Sequence, residues 1–517
     1  MRSQTSRARL APLAVAAALW AAPAFAQVPA TPSVRQLSVD EAVRLALEQN
    51  LGIQIERVNP RIQDMAVAQA RSSWAPMVSS SLTGNSTNSP STSALSGGRD
   101  RITDSHVATG FALTQRLPTG ASYSAAWNSS RATSTNIFNN FEPLLRSTIT
   151  FNATQPLVRN FKIDGVRQQL ETSRKDREAS DLQLQSTIVL TTRNVRNAYW
   201  DLVYQIANLN AQRQSLGLAR RLLGDNEKRV QIGTMAPIDI VEAQAEVARN
   251  DESVIVAEAA IRRAEDDLRA LIFDPAAPDF WNIVIEPTDT APFLGQALDV
   301  GGAVRHALEH RLDVHLAKNG LARTDIDIQY YRNQTLPEVN AEAAYSTAAV
   351  GGQELAGLTS IPLGPVERSL AARHGFGSVL GDLLTSTFPA WTVGVTISYP
   401  IGRSAAEASL ARSRLQYSQG QAQLRRLELQ IATQVRDLAR QVQTNQKRIE
   451  SARAARELAE RRLDAEERKF TAGIQTSFFV FQAQRDLAQA RTTEVRAVSD
   501  YSKSLVDFEA VQQTALR

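Results

Sequence analysis

The hydrophobic positions of this 517-residue chain change period along its length, and the same succession of periods occurs twice. Residues 39–70 carry apolar side chains at helical spacing, with Val43, Ala46, Leu47 and Ile53 on one face. Asp40 is the predicted N-cap, and Trp74-Ala75-Pro76 stops the helix. The pattern then turns to alternation. Residues 77–85, 106–117, 121–130 and 147–155 read as strands, the second with Val107, Thr109, Phe111, Leu113 and Gln115 on one side. Residues 86–104 and 131–146 read as polar loops, and Pro118-Thr119-Gly120 as a tight turn.

From Asp164 to Val230 there is no proline. Leu182, Val189, Val195, Tyr199, Leu202, Ile206, Leu209 and Leu216 recur mostly at intervals of three, four or seven, as a supercoiled seam requires. One helix over this stretch would be roughly 100 Å long and must pack along its length to persist. Gly233-Thr234-Met235-Ala236-Pro237 breaks it, and residues 239–272 return antiparallel. A proline-rich connector follows at 273–297, with a possible strand at 281–285.

The second half repeats the plan. Residues 300–333 read as helix, Pro337 stops it, 338–347 read as a strand and 348–389 as a long loop. WTVGVTISY at 391–399 alternates clearly. Residues 405–470 form the second long helix, 471–477 break it and 478–510 return. The duplication is visible in the letters. LSVDEAVRLALEQNL at 37–51 and LDVGGAVRHALEHRL at 298–312 agree at nine of fifteen positions, 261 residues apart. The same offset carries Arg71 onto Arg332 and Pro76 onto Pro337. Between those prolines and Pro156 or Pro400 the first half holds 17 residues more, the size of one extra strand pair. A period this long is a duplicated domain. Residues 27–297 form the first repeat and 298–517 the second, with 27–36 as a flexible lead-in.

The N-terminus changes the picture. Arg2, Arg7 and Arg9 precede an apolar run at 10–22, and Ala24-Phe25-Ala26 ends it: residues 1–26 read as a secretory signal peptide. The run is shorter than the ~20 residues of a spanning helix. Without these arginines the formal charge falls from +4 to +1, so the basic balance implies no nucleic-acid partner. There is no cysteine, which excludes disulfides, thiolate metal sites and a lipid attached after the cleavage site. No later stretch has the length and apolarity of a transmembrane helix, so entry into a membrane requires a β-barrel.

Helix, strands ending in proline, a very long helix, a tight glycine break and a return helix, all twice over behind a leader, resemble the TolC-like outer-membrane efflux and secretion proteins. The resemblance covers 37 to about 510. It is carried by residues 37–51, Thr154-Gln155-Pro156-Leu157, IGTMAPIDIVEAQ at 232–244 and FTAGIQTSFFVFQAQ at 470–484. No single segment is specific; their order and spacing are. The resemblance implies an α+β membrane protein with duplicated halves. It implies a homotrimer whose strands close one outer-membrane β-barrel, continued by a long antiparallel α-helical tunnel in the periplasm. The implied partners are outer-membrane lipid, a periplasmic adaptor and an inner-membrane pump of RND or ABC type. The implied function is that of an exit duct for a tripartite efflux pump or a type I secretion system, with no cofactor. The physical reading agrees: four to six strands cannot close a barrel alone, and open edges are not tolerated in lipid. Four strands per chain give the family's 12, and six would give 18. A periplasmic coiled-coil structural protein is the alternative, and it leaves the strands unexplained.

The family's acidic gate lies six and nine positions after each tip glycine. Those positions hold Asp239 and Glu242 after Gly233, but Phe479 and Gln482 after Gly473, a departure from the pattern. A ring of Asp239 side chains would favour cations, whereas Phe478 and Phe479 would close a pore by dewetting. The plainer readings are a helix N-cap for Asp239 and packing between hairpins for the phenylalanines. Gly233, Thr234, Gly473 and Ile474 match the adaptor-docking tips, and a simple turn is the plainer reading there. Tyr123, Trp127, Trp391 and Tyr399 are candidates for an interfacial aromatic belt.

His306-Ala307-Leu308-Glu309-His310 has the spacing of a zinc-dependent hydrolase. The first repeat carries Leu45 and Gln49 at the two histidine positions of the same helix, which favours a structural reading. No nucleotide-binding or nucleophile motif is present, so no catalysis is expected.

Overall fold

The computed structural model describes residues 33–92, 100–278, 280–289, 298–357, 368–402 and 404–513; the signal peptide read at 1–26 lies outside them. The described residues begin with β1 (Ser33–Leu37), α1 (Val39–Gln49), α2 (Leu51–Ser72), β2 (Met77–Pro90), β3 (Arg101–Arg116), β4 (Ser122–Ser134) and β5 (Phe141–Pro156). The first hairpin is α3 (Gly165–Gln231) and α4 (Ile238–Ile272). Then come β6 (Ile283–Pro287), α5 (Val300–His310), α6 (Leu312–Gln334), β7 (Glu338–Leu355), β8 (Leu370–His374), α7 (Phe376–Leu384) and β9 (Pro389–Ser398). The second hairpin is α8 (Ala405–Thr471) and α9 (Ser477–Gln512).

The two long helices are each 67 residues. Asp164 caps α3 by accepting from Arg167 N at 2.8 Å, and Ser404 caps α8 in a reciprocal box with Glu407. Each packs along its return helix. In the second hairpin Ile431, Val435, Val442 and Ile449 of α8 meet Tyr501 and Phe508 of α9, all buried. In the first, Leu209 and Leu216 of α3 meet Val254 and Ala257 of α4.

The helices expected at 39–70 and 300–333 are each broken once. Asn50 ends α1 and starts α2, its side chain accepting from Ile53 N at 3.2 Å and donating to Leu271 O at 3.0 Å. A short polar side chain that bonds local backbone offers the chain an exit from the helix. Arg311 separates α5 from α6 at the matching place. The N-cap is Ser38 rather than Asp40, because Ser38 and Glu41 bond each other's backbone amides. The lead-in also ends in order: β1 pairs in parallel with β6, 250 residues away. This ribbon, α1, α3 and α4 share a core containing Leu37, Tyr199, Leu268, Ile272 and Ile285.

The remaining strands form one antiparallel sheet in the order β2-β3-β4-β5-β7. β9 runs beside the first ten residues of β7, and β8 beside its last few. Six strands therefore lie side by side, with β2 and β9 at the edges. Strands extend into the stretches expected as loops at 86–104 and 131–146. Paired polar side chains, such as Thr103 Oγ1 to Asn88 Oδ1 at 2.6 Å, hold β2 and β3 together there. The stretch 348–389 holds the end of β7, β8 and α7; residues 358–367 of it lie outside the described residues.

Candidate functional site

The chain has two places where structure meets chemistry: the tips of the two hairpins and the faces of the sheet. Both follow from local sequence.

At each tip a glycine adopts a left-handed backbone, φ +74° at Gly233 and +76° at Gly473. Thr234 N donates to Arg229 O at 2.8 Å and Gly233 N to Val230 O at 3.0 Å. Ile474 N donates to Lys469 O and Gly473 N to Phe470 O, each at 3.0 Å. These are two Schellman closures, in which a left-handed residue lets the last carbonyls of a helix find partners. The tip residues Gly233, Thr234, Gly473 and Ile474 are exposed.

The two tips pack on each other. Leu222 of α3 and Ala243 of α4 share a buried cluster with Leu463 and Phe470 of α8 and Val480, Phe481 and Leu487 of α9. Arg229 Nη1 donates to Phe470 O at 3.0 Å, and its guanidinium carbon lies 4.2 Å from the Phe470 ring centroid. The fully buried Ser477 donates its hydroxyl to Asp239 Oδ1 at 3.3 Å. Pro237 holds the N-cap position of α4 without a side-chain cap bond, so Asp239 is not the cap; it bridges to the second hairpin instead. Glu242 is exposed. Burial pushes the Glu467 carboxyl on α8 above its usual range; Arg221 opposes this and Asp464 adds to it.

Phe478 and Phe479 meet edge to face, 5.6 Å between centroids, and are 53% and 41% exposed. They are not the aromatic core between the hairpins, which is made by Phe470 and Phe481. The Ser477–Asp239 and Arg229–Phe470 contacts carried no separate signal in the sequence, since their partners lie about 240 residues apart. The 240-residue offset between the tip glycines was the one available clue.

The sheet separates its chemistry by face. Opposite residues in the register fall on the same side, so Val78 and Leu113, Phe111 and Trp127, Trp127 and Ile149, Phe151 and Tyr345, and Tyr345 and Trp391 share one face. Phe111 stacks on Trp127 and Tyr123 on Phe151. Val78, Leu82, Trp391, Val393, Val395 and Ile397 on this face are all more than 60% exposed. The other face carries Ser79, Ser81, Ser124, Asn128, Thr150, Asn152, Glu342, Ser346, Thr392 and Thr396. One apolar and one polar face, over strands long enough to cross a bilayer, suit lipid outside and water inside. No described helix is long and apolar enough to cross a membrane.

His306 and His310 stack with centroids 4.2 Å apart. Their Nδ1 atoms lie 3.1 Å from the carbonyl oxygens of Gln512 and His306 respectively. No group of three or more metal-ligating side chains occurs among the described residues.

The sequence profile of the outer membrane efflux protein family matches residues 119–272 and 303–511. No curated protein matches the chain by sequence. Among solved structures, a membrane protein from Pseudomonas aeruginosa aligns with a TM-score of 0.65 at 16% identity, over 92% of this chain and 93% of its own. The outer membrane protein VceC of Vibrio cholerae gives 0.63 at 16% identity, over 93% and 97%. The CmeC outer membrane channel of Campylobacter jejuni gives 0.63 at 13%, over 92% and 85%.

Proposed function

Since the chain belongs to the outer membrane efflux protein family, we propose that it is the exit duct of a tripartite efflux pump or type I secretion system. The protein is an outer-membrane efflux channel with a periplasmic helical part, and a conduit rather than an enzyme. In the proposed assembly three copies close one barrel, with six strands from each chain and 18 in all. The hairpins form a tunnel whose tips, at Gly233-Thr234 and Gly473-Ile474, receive a periplasmic adaptor. Asp239 and Glu242, with Phe478 and Phe479, line the closed end. Substrate moves passively, and an inner-membrane pump of RND or ABC type supplies the energy. The two repeats, 27–297 and 298–517, each contribute one helical hairpin and part of the sheet.

The observation that carries this reading is the open two-faced sheet. β2 and β9 leave their outer hydrogen-bonding edges unpaired in a single chain, and their side chains are exposed throughout. Lipid does not tolerate such edges, and a second copy satisfies β9 with β2. The test is the native mass of the detergent-extracted protein together with conductance in planar bilayers. A conducting trimer is expected. A water-soluble monomer that forms no pore would overturn the reading.

A further inference from the structure

β9 starts at Pro389, opposite Thr347, but β7 continues eight residues further, away from the helical hairpins. In that extra height the apolar face of the sheet is not bare, because α7 lies on it. Val379 and Leu383 of α7 are buried against Ala349, with Trp127, Leu145 and Ile149 packed alongside. Gly351 makes the approach possible: a Cβ there would sit 2.5 Å from Val379 Cγ2.

The nine residues of α7 have three different sides. At ~100° per residue, Val379 and Leu383 face the sheet, Leu380 and Leu384 form one flank, and Ser378 and Asp382 form the other. Leu384 is 79% exposed, and Ser378 and Asp382 are exposed too. One flank thus offers a leucine and the other an aspartate to the surroundings. That division fits a boundary between hydrocarbon and water. The columns beneath α7 are β4, β5 and β7, which are interior to the sheet. A neighbouring copy pairing at β2 or β9 leaves this surface uncovered. Arg131 stands on the same face, in the row of Leu145 and Gly351. It is exposed and has no side-chain bond to a described residue.

We propose that α7 is an interfacial helix on the lipid side of the barrel at its external rim, with Leu384 in contact with outer-leaflet acyl chains and Leu380 packed at the edge of the cluster beneath it. It is continuous with the apolar belt of Trp391, Val393 and Val395 below it and sets the upper limit of lipid contact. The inference rests on the membrane location of the sheet.

The absence of cysteine makes the test direct. Leu384→Cys, Asp382→Cys and Val393→Cys are introduced singly in the full chain, labelled with a nitroxide and reconstituted in phosphatidylcholine vesicles. Oxygen, which concentrates in hydrocarbon, and a water-soluble nickel chelate are compared as relaxants. The oxygen-to-nickel ratio at 384 should exceed that at 382 by about threefold or more and approach that at 393. Equal, nickel-dominated values at 382 and 384, with 393 reporting lipid, would overturn the interfacial role of α7 alone. Nickel-dominated values at all three would overturn it together with the membrane location of the sheet.

Discussion

Arg229, in the last turn of the first long helix, both caps and covers Phe470, in the last turn of the second: its guanidinium donates to the Phe470 carbonyl at 3.0 Å while sitting over the ring. The basic end of one helix thus satisfies an end carbonyl of the other, where the helix dipole favours a cation. Each tip is closed by its own backbone and then tied to the other through this side chain, so the tips open together or strain this contact.

Removing the contact should loosen both tips. In a cycle of Arg229→Gln, Phe470→Leu and the double variant, the coupling should be about 1 kcal/mol, the range of a partly buried cation–π pair. Hydrogen exchange of the amides at 472–476 is the readout. Additive effects would mean that the ring and the guanidinium act independently.

The tip glycines are needed for their backbone and not for space. Nothing lies within 4 Å of a Cβ added at Gly233 or Gly473, yet both have positive φ. Gly233→Val or Gly473→Val should therefore destabilise its tip by about 1–2 kcal/mol, and Asn by less. Local hydrogen exchange and protease cleavage at the tip would report it. Equal behaviour of Val and Asn would contradict a conformational origin.

Asp239 is positioned by Ser477 of the other hairpin, and in the proposed trimer three copies would ring the axis. Asp239→Ala should lower cation over anion selectivity in planar bilayers. Unchanged reversal potentials under a salt gradient would remove Asp239 from the gate.

Tyr199 predicts an alkaline transition. Its hydroxyl lies 3.0 Å from Leu37 O and 3.1 Å from Asp289 Oδ2, and accepts from Asp289 N. Burial pushes the phenol up to about 12; the Asp289 amide opposes this and its charge adds to it. The folded state therefore holds the proton longer than the unfolded state does. The resulting stability is complete below pH 10, the ordinary tyrosine value, and is lost as pH rises through about 12. Tyr199→Phe should cost about 1–3 kcal/mol at neutral pH by leaving these partners unsatisfied, and should flatten the loss above pH 10. Thermal melts followed by circular dichroism across pH 8–12 would check both.

The long helices were legible because nothing interrupts them: no proline occurs between Asp164 and Val230 or between Ala405 and Phe470, and a glycine ends each. Strands with polar and apolar residues in alternation were legible in their middles, as at Trp391–Val395, and not at their ends. There, pairs such as Ser86 with Ser105 are held by cross-strand bonding that no single segment encodes. The breaks at Asn50 and Arg311 were hidden inside sound helical periodicity, because Asn50 finds its second partner at Leu271. The residue types at the tips were readable, but the bridge from Ser477 to Asp239 joins segments that only the assembled hairpins bring together.

The sheet is stitched across the two halves, with Ile149 of β5 opposite Thr347 of β7 and the whole first hairpin lying between them in the chain. Until that late segment arrives, β5 presents a raw flank able to capture any passing extended peptide. Pairings this distant form slowly. During transit to its destination the polypeptide must therefore be held apart from its fellows, so escort capacity, more than the stability of the finished product, should limit how much of it a cell can make.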